Sequence, residues 1–453
     1  MSELIAAIAT PPGPGGVGIL RLSGPGATQA AANIFRPLGK TPLSEAPDRQ
    51  LLYGRVFDQA GDLLDTGLAF VSRAPHSYTG EETAEIQCHG SPVVLSLVLD
   101  ALCAAGARLA RPGEFTQRAF LNGKLDLTQA EAVIDLIDAE TADAAANAAG
   151  QLGGAMLRKI DPVYLSLVDV CSHFHAVLDY PDEDIEPFEL RQHRDVLEGA
   201  VNTLASILTT FRRGQRLKNG IRAVILGSPN VGKSSLLNAL CGYERVIVTD
   251  VAGTTRDTVE ESVTLGGHLL RLLDTAGLRE TEDKIEKMGV ERAKEAARSA
   301  ELAIFVCDAS RALDESDLDA MRAALDAPHA IAVLNKTDLP AALQPSDLPF
   351  EFVVPVCAKT GEGIDLLAQA LDLTFPQGAP CDGSILTNER QADAVLRAGK
   401  ALDAALESMR QGMTPDAVLV DVEAAMSALG EVTGRTMRED ITNRIFERFC
   451  VGK

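Results

Sequence analysis

Gly227-Ser228-Pro229-Asn230-Val231-Gly232-Lys233-Ser234 fits the phosphate-loop pattern G-x-x-x-x-G-K-[ST], and its neighbours make the match meaningful. Ile221-Arg222-Ala223-Val224-Ile225-Leu226 precedes it as an apolar strand. Ser235-Leu236-Leu237-Asn238-Ala239-Leu240 follows as the opening of a helix. In that context the glycines let backbone N–H groups wrap phosphates, and the helix N-terminus favours an anion. Asn230, Val231, Gly232, Lys233, Ser234 and Ser235 are therefore the expected phosphate-side residues. Lys233 is expected to reach the outer phosphates and Ser234 to ligate Mg²⁺.

Three further strings, each closing an apolar run, extend the phosphate site to GTP. Asp274-Thr275-Ala276-Gly277 follows Leu269 to Leu273 and sets a carboxylate at a strand end near the metal. Asn335-Lys336-Thr337-Asp338 follows Ala330 to Leu334; Asp338 can accept from two donors on a guanine edge that adenine lacks. Cys357-Ala358-Lys359, after Phe352 to Val356, is suited to close over the base. A four-residue string recurs by chance, so the order of the strings, each after a strand, carries the weight.

The composition is that of a folded protein of several domains: 453 residues, 46% hydrophobic and 23% charged. Eight cysteines without a C-x-x-C pair favour a reducing cytosol. The start Met1-Ser2-Glu3-Leu4-Ile5 has neither a basic segment nor a long apolar core, so a cytoplasmic protein without signal peptide or membrane span is expected. A net charge of −22 argues against unaided electrostatic binding to nucleic acid. Contacts to RNA would come from local basic patches or from a partner subunit.

The chain reads in three parts. The first is α+β, with strand candidates Val17–Leu22, Leu51–Phe57 and Gly67–Val71, and a helix from the cap Ser91 through Pro92 to about Gly106. From about Gly123 to Leu217 the pattern is helical; Leu127, Ala130, Ile134 and Ile137 share one face. The acidic stretch from Asp179 to Asp184 reads as a solvated loop. Helical pattern resumes from about Asn388, after Pro376, Gly378, Pro380 and Gly383. The simplest architecture inserts an α/β P-loop GTPase domain (217–383) into a helical domain (119–216 plus 384–453), behind an α+β N-terminal domain (1–118).

Strings outside the nucleotide motifs carry a family resemblance that runs from end to end. They are Ala9-Thr10-Pro11-Pro12-Gly13 with Gly15 to Arg21, Arg111-Pro112-Gly113-Glu114-Phe115-Thr116 with Arg118 to Lys124, and the terminal Phe449-Cys450-Val451-Gly452-Lys453. On these the chain resembles the MnmE (TrmE) family of bacterial tRNA-modification GTPases. The resemblance implies a homodimer whose N-terminal domain binds a tetrahydrofolate one-carbon carrier, in 5-formyl or 5,10-methylene form. Arg21, Glu85, Lys124 and Lys453 would be its contacts: cations for the folate glutamate tail, a carboxylate for the pterin donors. It also implies an FAD-dependent MnmG-like partner, joined in a heterotetramer. Together they would modify carbon 5 of the wobble uridine of certain tRNAs.

Within the GTPase segment, the residue after Gly277 is Leu278, where Ras-like proteins place a water-orienting Gln. The resemblance supplies the substitute: K⁺ held by Asn230 and Thr254 with the carbonyls of Thr249 and Val251, where two GTPase domains meet. Thr249-Asp250-Val251-Ala252-Gly253-Thr254-Thr255-Arg256-Asp257 would be the first switch, with Thr255 as second protein ligand of Mg²⁺. Glu286 matches the family's water-orienting glutamate. Ile441, Ile445 and Phe449 read as an amphipathic helix that could deliver Cys450 and Lys453 to a pocket. In the family this cysteine is a candidate for the modification chemistry. As a prenylation box the terminus is poor.

Cys171 and His175 share a helix face while His173 points away, too few ligands for zinc. Two other classes remain open on the sequence: a ribosome-assembly GTPase, which calls for a basic RNA-binding module, and a folate-dependent transferase acting on a small molecule.

Overall fold

The computed structural model describes residues 3–179, 187–243, 261–273, 295, 297–378, 380–436, 442, 445–447 and 449–452. They divide into two compact units: Met1–Ile134 with Ile160–Arg194 and Lys400–Lys453, and Asp135–Lys159 with Asp195–Gly399.

The first unit is built on a mainly antiparallel sheet. Among the described residues its strands are β1 (Ile5–Ile8), β2 (Gly15–Ser23), β3 (Phe35–Pro37), β4 (Leu52–Phe57), β5 (Leu63–Ser72), β6 (Thr83–Gly90) and β7 (Arg108–Leu109), in the order β3-β4-β5-β6-β2-β1-β7. Alternation decides the faces, because successive side chains of a strand point to opposite sides. Leu20 and Leu22 of β2 and Ala84, Ile86 and Cys88 of β6 join Ile34, Val98 and Leu102 of the helices Ala27–Ile34 and Pro92–Ala104 in one core. Arg21 and Glu85, one residue out of phase, fall on the other face. There Ile5 and Ala7 of β1 pack on Phe115 of the helix Glu114–Leu121.

The three strand candidates and the helix after Ser91 are observed, the helix ending at Ala104. In the helix Leu127–Ile137, Leu127 and Ala130 are fully buried, but Ile137 at its last position is exposed. Phe446 and Phe449 complete that cluster, so the C-terminal tail is packed into the first unit. Cys171 and His175, on the helix Ala155–Asp179, meet Met426 and Glu423 across to the helix Pro415–Thr433.

The second unit contains a mainly parallel sheet of β8 (Ile221–Leu226), β9 (Glu261–Leu265), β10 (His268–Leu272), β11 (Leu302–Asp308), β12 (His329–Asn335) and β13 (Phe352–Pro355), in the order β13-β12-β11-β8-β10-β9. Only β9 runs antiparallel among these. Every residue of β11 is buried, as expected of a strand covered on both faces. One face packs on the helices Lys233–Tyr243 and Ile364–Thr374 through Leu236, Leu240, Leu367 and Leu371. The other packs on the helix Glu315–Leu325 through Ala323 and Ala324. The α+β, helical and P-loop α/β composition expected from the sequence is observed. Among the described residues no helix is long and apolar enough to cross a membrane.

Candidate nucleotide and pterin sites

The loops after β8, β12 and β13 lie at the carboxyl ends of parallel strands of one sheet, with β8 and β12 flanking β11, the place where ligands bind on open α/β sheets. The phosphate-loop string runs from the end of β8 to the helix Lys233–Tyr243. Asn230 takes a left-handed turn (φ 62°), which asparagine tolerates better than most residues. Gly232 also has positive φ (100°), and a Cβ there would lie 2.2 Å from Nδ2 of Asn335, so no other residue fits.

That Asn335 amide is the hinge pin of the site. It is buried, donates to the carbonyl of Val231 at 2.7 Å, and accepts the N–H of Ala358 at 3.0 Å. One side chain thus joins three strings that lie far apart in sequence. Lys336 beside it is held at φ 65°, a strained setting for a lysine, and its Nζ pairs with Asp308 at the end of β11 at 2.6 Å. Burial alone would raise the Asp308 pKa; Lys336 and Ser310 outweigh it and hold it below the usual carboxylate range.

Asp338 is exposed at the rim with Lys359, while Cys357 and Ala358 are buried beneath them. Lys233 donates to the loop carbonyls of Gly227 (2.9 Å) and Ser228 (2.8 Å). Burial pulls its pKa down, and the charge of Asp317 opposes that shift. Asn230, Ser234 and Ser235 are exposed on the outer side of the loop. Thr249, Asp250, Val251, Ala252, Gly253, Thr254, Thr255, Asp274, Thr275, Ala276, Gly277, Leu278 and Glu286 lie outside the described residues.

A second cluster occupies the first unit. Arg21 and Glu85 are directly opposed on β2 and β6, and Arg21 Nε donates to Glu85 Oε1 at 2.7 Å. The guanidinium stands 5.7 Å from the Tyr78 ring and 5.9 Å from that of Phe115, and also reaches the carbonyl of Gly452 at 3.4 Å. Lys124 Nζ donates to the carbonyl of Pro75, in the same loop as Tyr78, at 3.1 Å. Three of the four expected folate residues therefore surround one strand–loop corner; Lys453 lies outside the described residues. Cys450 is exposed, and its carbonyl accepts from the N–H of Gly113 at 3.3 Å.

The charged residues of the string Arg111 to Arg118 prove to be structural. Glu114, buried at the first turn of its helix, accepts from Arg108 (2.7 and 2.8 Å), Arg118 (3.0 Å) and the N–H of Arg111 (2.9 Å). Burial, which acts to raise its pKa, loses to those donors, and the carboxyl is held at about 2. Sequence reading missed Tyr78, Asp308 and Asp317; none sits in a motif, and only long-range pairing reveals them.

A family model described as the MnmE helical domain matches residues 127–450, and one described as the N-terminus of the GTP-binding protein TrmE matches residues 4–124. The tRNA modification GTPase MnmE of Chloroflexus aurantiacus is 44% identical over 459 residues, covering 100% of both chains. That of Symbiobacterium thermophilum is 44% identical over 100% of this chain and 99% of its own. Among solved structures, the G domain of the T. maritima FeoB iron transporter is 26% identical with a TM-score of 0.25, covering 33% of this chain and 94% of that one.

Proposed function

The chain belongs to the MnmE family of tRNA modification GTPases, and we propose that it binds GTP where Asn335 joins the three strand-end loops. It is a GTP hydrolase. In this reading Asn230 to Ser235 grip the phosphates and Lys233 offsets their charge. Asp338 accepts from the guanine edge, with Asn335, Lys336, Cys357, Ala358 and Lys359 walling the base. Thr249 to Thr255 and Asp274 to Gly277 complete the phosphate side.

Ser234 and Asn230 are exposed residues that carry oxygen ligands, chemistry that suits hard cations. Ser234 and Thr255 would hold Mg²⁺; Asn230 and Thr254, with the carbonyls of Thr249 and Val251, would hold K⁺. When bound, these cations neutralise phosphate charge. Glu286 orients the attacking water in place of the Gln that Leu278 replaces. The three domains are taken as 1–118, 119–216 with 384–453, and 217–383.

The Arg21–Glu85 corner suits a tetrahydrofolate: an aromatic wall from Tyr78 and Phe115, an acceptor for pterin N–H groups, and Lys124 and Lys453 for the glutamate tail. The carrier, when bound, supplies a one-carbon unit. Cys450 lies on the tail that reaches this corner and is the candidate reacting side chain. The chain acts as a homodimer with an FAD-dependent MnmG-like subunit, in a heterotetramer that modifies carbon 5 of the wobble uridine of tRNA.

The observation that carries the GTP reading is the double hydrogen bond of Asn335. Calorimetry with GDP and ADP tests it: a clear preference for GDP is expected, and equal affinities would sink it. Nucleoside mass spectrometry on tRNA from a deletion strain tests the modification, where unchanged wobble uridines exclude it.

A further inference from the structure

Ser228, the second residue of the phosphate loop, is 3% exposed. Its hydroxyl donates to Oδ1 of Asp317 and accepts from Nη2 of Arg311 at 3.0 Å. Arg311 also pairs with the other Asp317 oxygen at 2.7 Å, closing a three-residue ring. Asp317 is 1% exposed, and its place is fixed from a second direction. It forms the capping box of the helix Glu315–Leu325 with Asp314, each side chain accepting the other's backbone N–H (2.9 and 3.1 Å). The phosphate loop is therefore bolted, through one hydroxyl, to the start of a helix packed beneath the sheet.

We propose that Asp317, acting through Ser228 and Arg311, is a positioning residue that holds the phosphate loop in its nucleotide-gripping shape. The inference rests on reading Asn230 to Ser235 as the phosphate grip. The path to the ligand is short. Ser228 is held at its hydroxyl by Asp317, and its carbonyl accepts from Nζ of Lys233 at 2.8 Å, so the loop turn and the lysine head share one anchor. A buried carboxylate without Ser228 would leave an unmet acceptor, and Ser228 without the carboxylate would lose its fixed direction. The Asp317 charge also bears on Lys233 directly, favouring its ammonium form against burial. The segment from Asp308 to Asp317 reaches the base side too, through the Asp308–Lys336 pair, so the two ends of the site share one support.

The test uses the full-length protein with a fluorescent GDP analogue and steady-state GTP hydrolysis. Ser228→Ala and Asp317→Asn should each raise the GDP Kd and the KM for GTP about fivefold or more, with kcat within about twofold. As the residues act as a unit, the double variant should be no weaker than the worse single one. A wild-type Kd in Ser228→Ala, a fall in kcat with unchanged KM, or additive losses in the double variant would each overturn the proposal. Should Asp317→Asn fail to fold, Arg311→Ala replaces it in the same cycle with the same criteria. Lys233→Ala separates the underlying reading: if that variant binds nucleotide normally, the phosphate site itself is misassigned, whatever Ser228 does.

Discussion

Asn335 donates from Nδ2 to the carbonyl of Val231 at 2.7 Å, so the base-side and phosphate-side loops are fastened to each other by one amide. With the Ala358 N–H donating to its Oδ1, the side chain meets both loops at once. Asn335→Ala leaves a buried carbonyl and a buried N–H without partners, at about 1–3 kcal/mol for each. The expected outcome is a GDP affinity lowered about tenfold or more, with most of the preference over ADP gone. Calorimetry reads both. An unchanged GDP/ADP ratio would show that the three loops are set independently.

Glu114 makes the N-terminal unit acid-sensitive. Its folded pKa, about 2 against 4.5 for the free side chain, is depressed. The stabilisation it gives is therefore complete above the unfolded value and is lost as pH falls from 4.5 toward 2. Glu114→Gln should cost about 2–3 kcal/mol at neutral pH, and the gap to the wild type should close in that acid window. Denaturant titrations at a series of pH values measure the gap. A gap that stays constant would show that the Arg108 and Arg118 contacts act through geometry and not through charge.

The two kinds of site were unequally visible in the sequence. Val231 to Ser234, Asn335 and Ala358 could be found because each string is local and follows a run of strand residues. Their joining could not, since the Asn335–Val231 contact spans 104 positions. Arg21 and Glu85 became candidates only through family resemblance; alternation on β2 and β6 then explains why both face the same corner. Glu114 and Arg118 read as part of a family signature with no stated role, and their buried ion pairs give one. Ile137 shows the reverse error: helical spacing put it on the apolar face, yet a helix end has less to pack against, and it is exposed.

On the proposed K⁺ site at Asn230, hydrolysis should depend on that cation, because Leu278 carries no group that can orient water. GTP turnover in KCl should exceed that in NaCl at equal ionic strength by about tenfold or more, with the ~10³–10⁵ that an arginine finger supplies elsewhere as the upper bound. Asn230→Ala should abolish the difference while leaving GDP binding within about threefold, because the loop's backbone grip does not use that side chain. Steady-state rates in the two salts decide the matter; equal wild-type rates remove K⁺ from the mechanism.

The C-terminal tail offers a way to separate the two activities. Gly452 is buried at φ 95°, and a Cβ there would stand 2.4 Å from the carbonyl oxygen of Ile8 and 2.9 Å from Cα of Ala9. Both obstacles are backbone, so Gly452→Ala cannot be absorbed by a rotamer change; the tail must lift. Its carbonyl would then leave Arg21, and Cys450, two residues before it, would be displaced with the tail. Displacement of a reacting group by about 1 Å can cost about a hundredfold in rate. Gly452→Ala should therefore cut tRNA modification about tenfold or more. GTP hydrolysis should stay within about twofold, because the phosphate loop belongs to the other compact unit. The measurement pairs nucleoside mass spectrometry of tRNA from a complemented deletion strain with GTP turnover of the purified variant. Normal modification would show that the seat of Gly452 has no bearing on the chemistry. A parallel loss of GTP turnover would show instead that the tail supports the whole molecule.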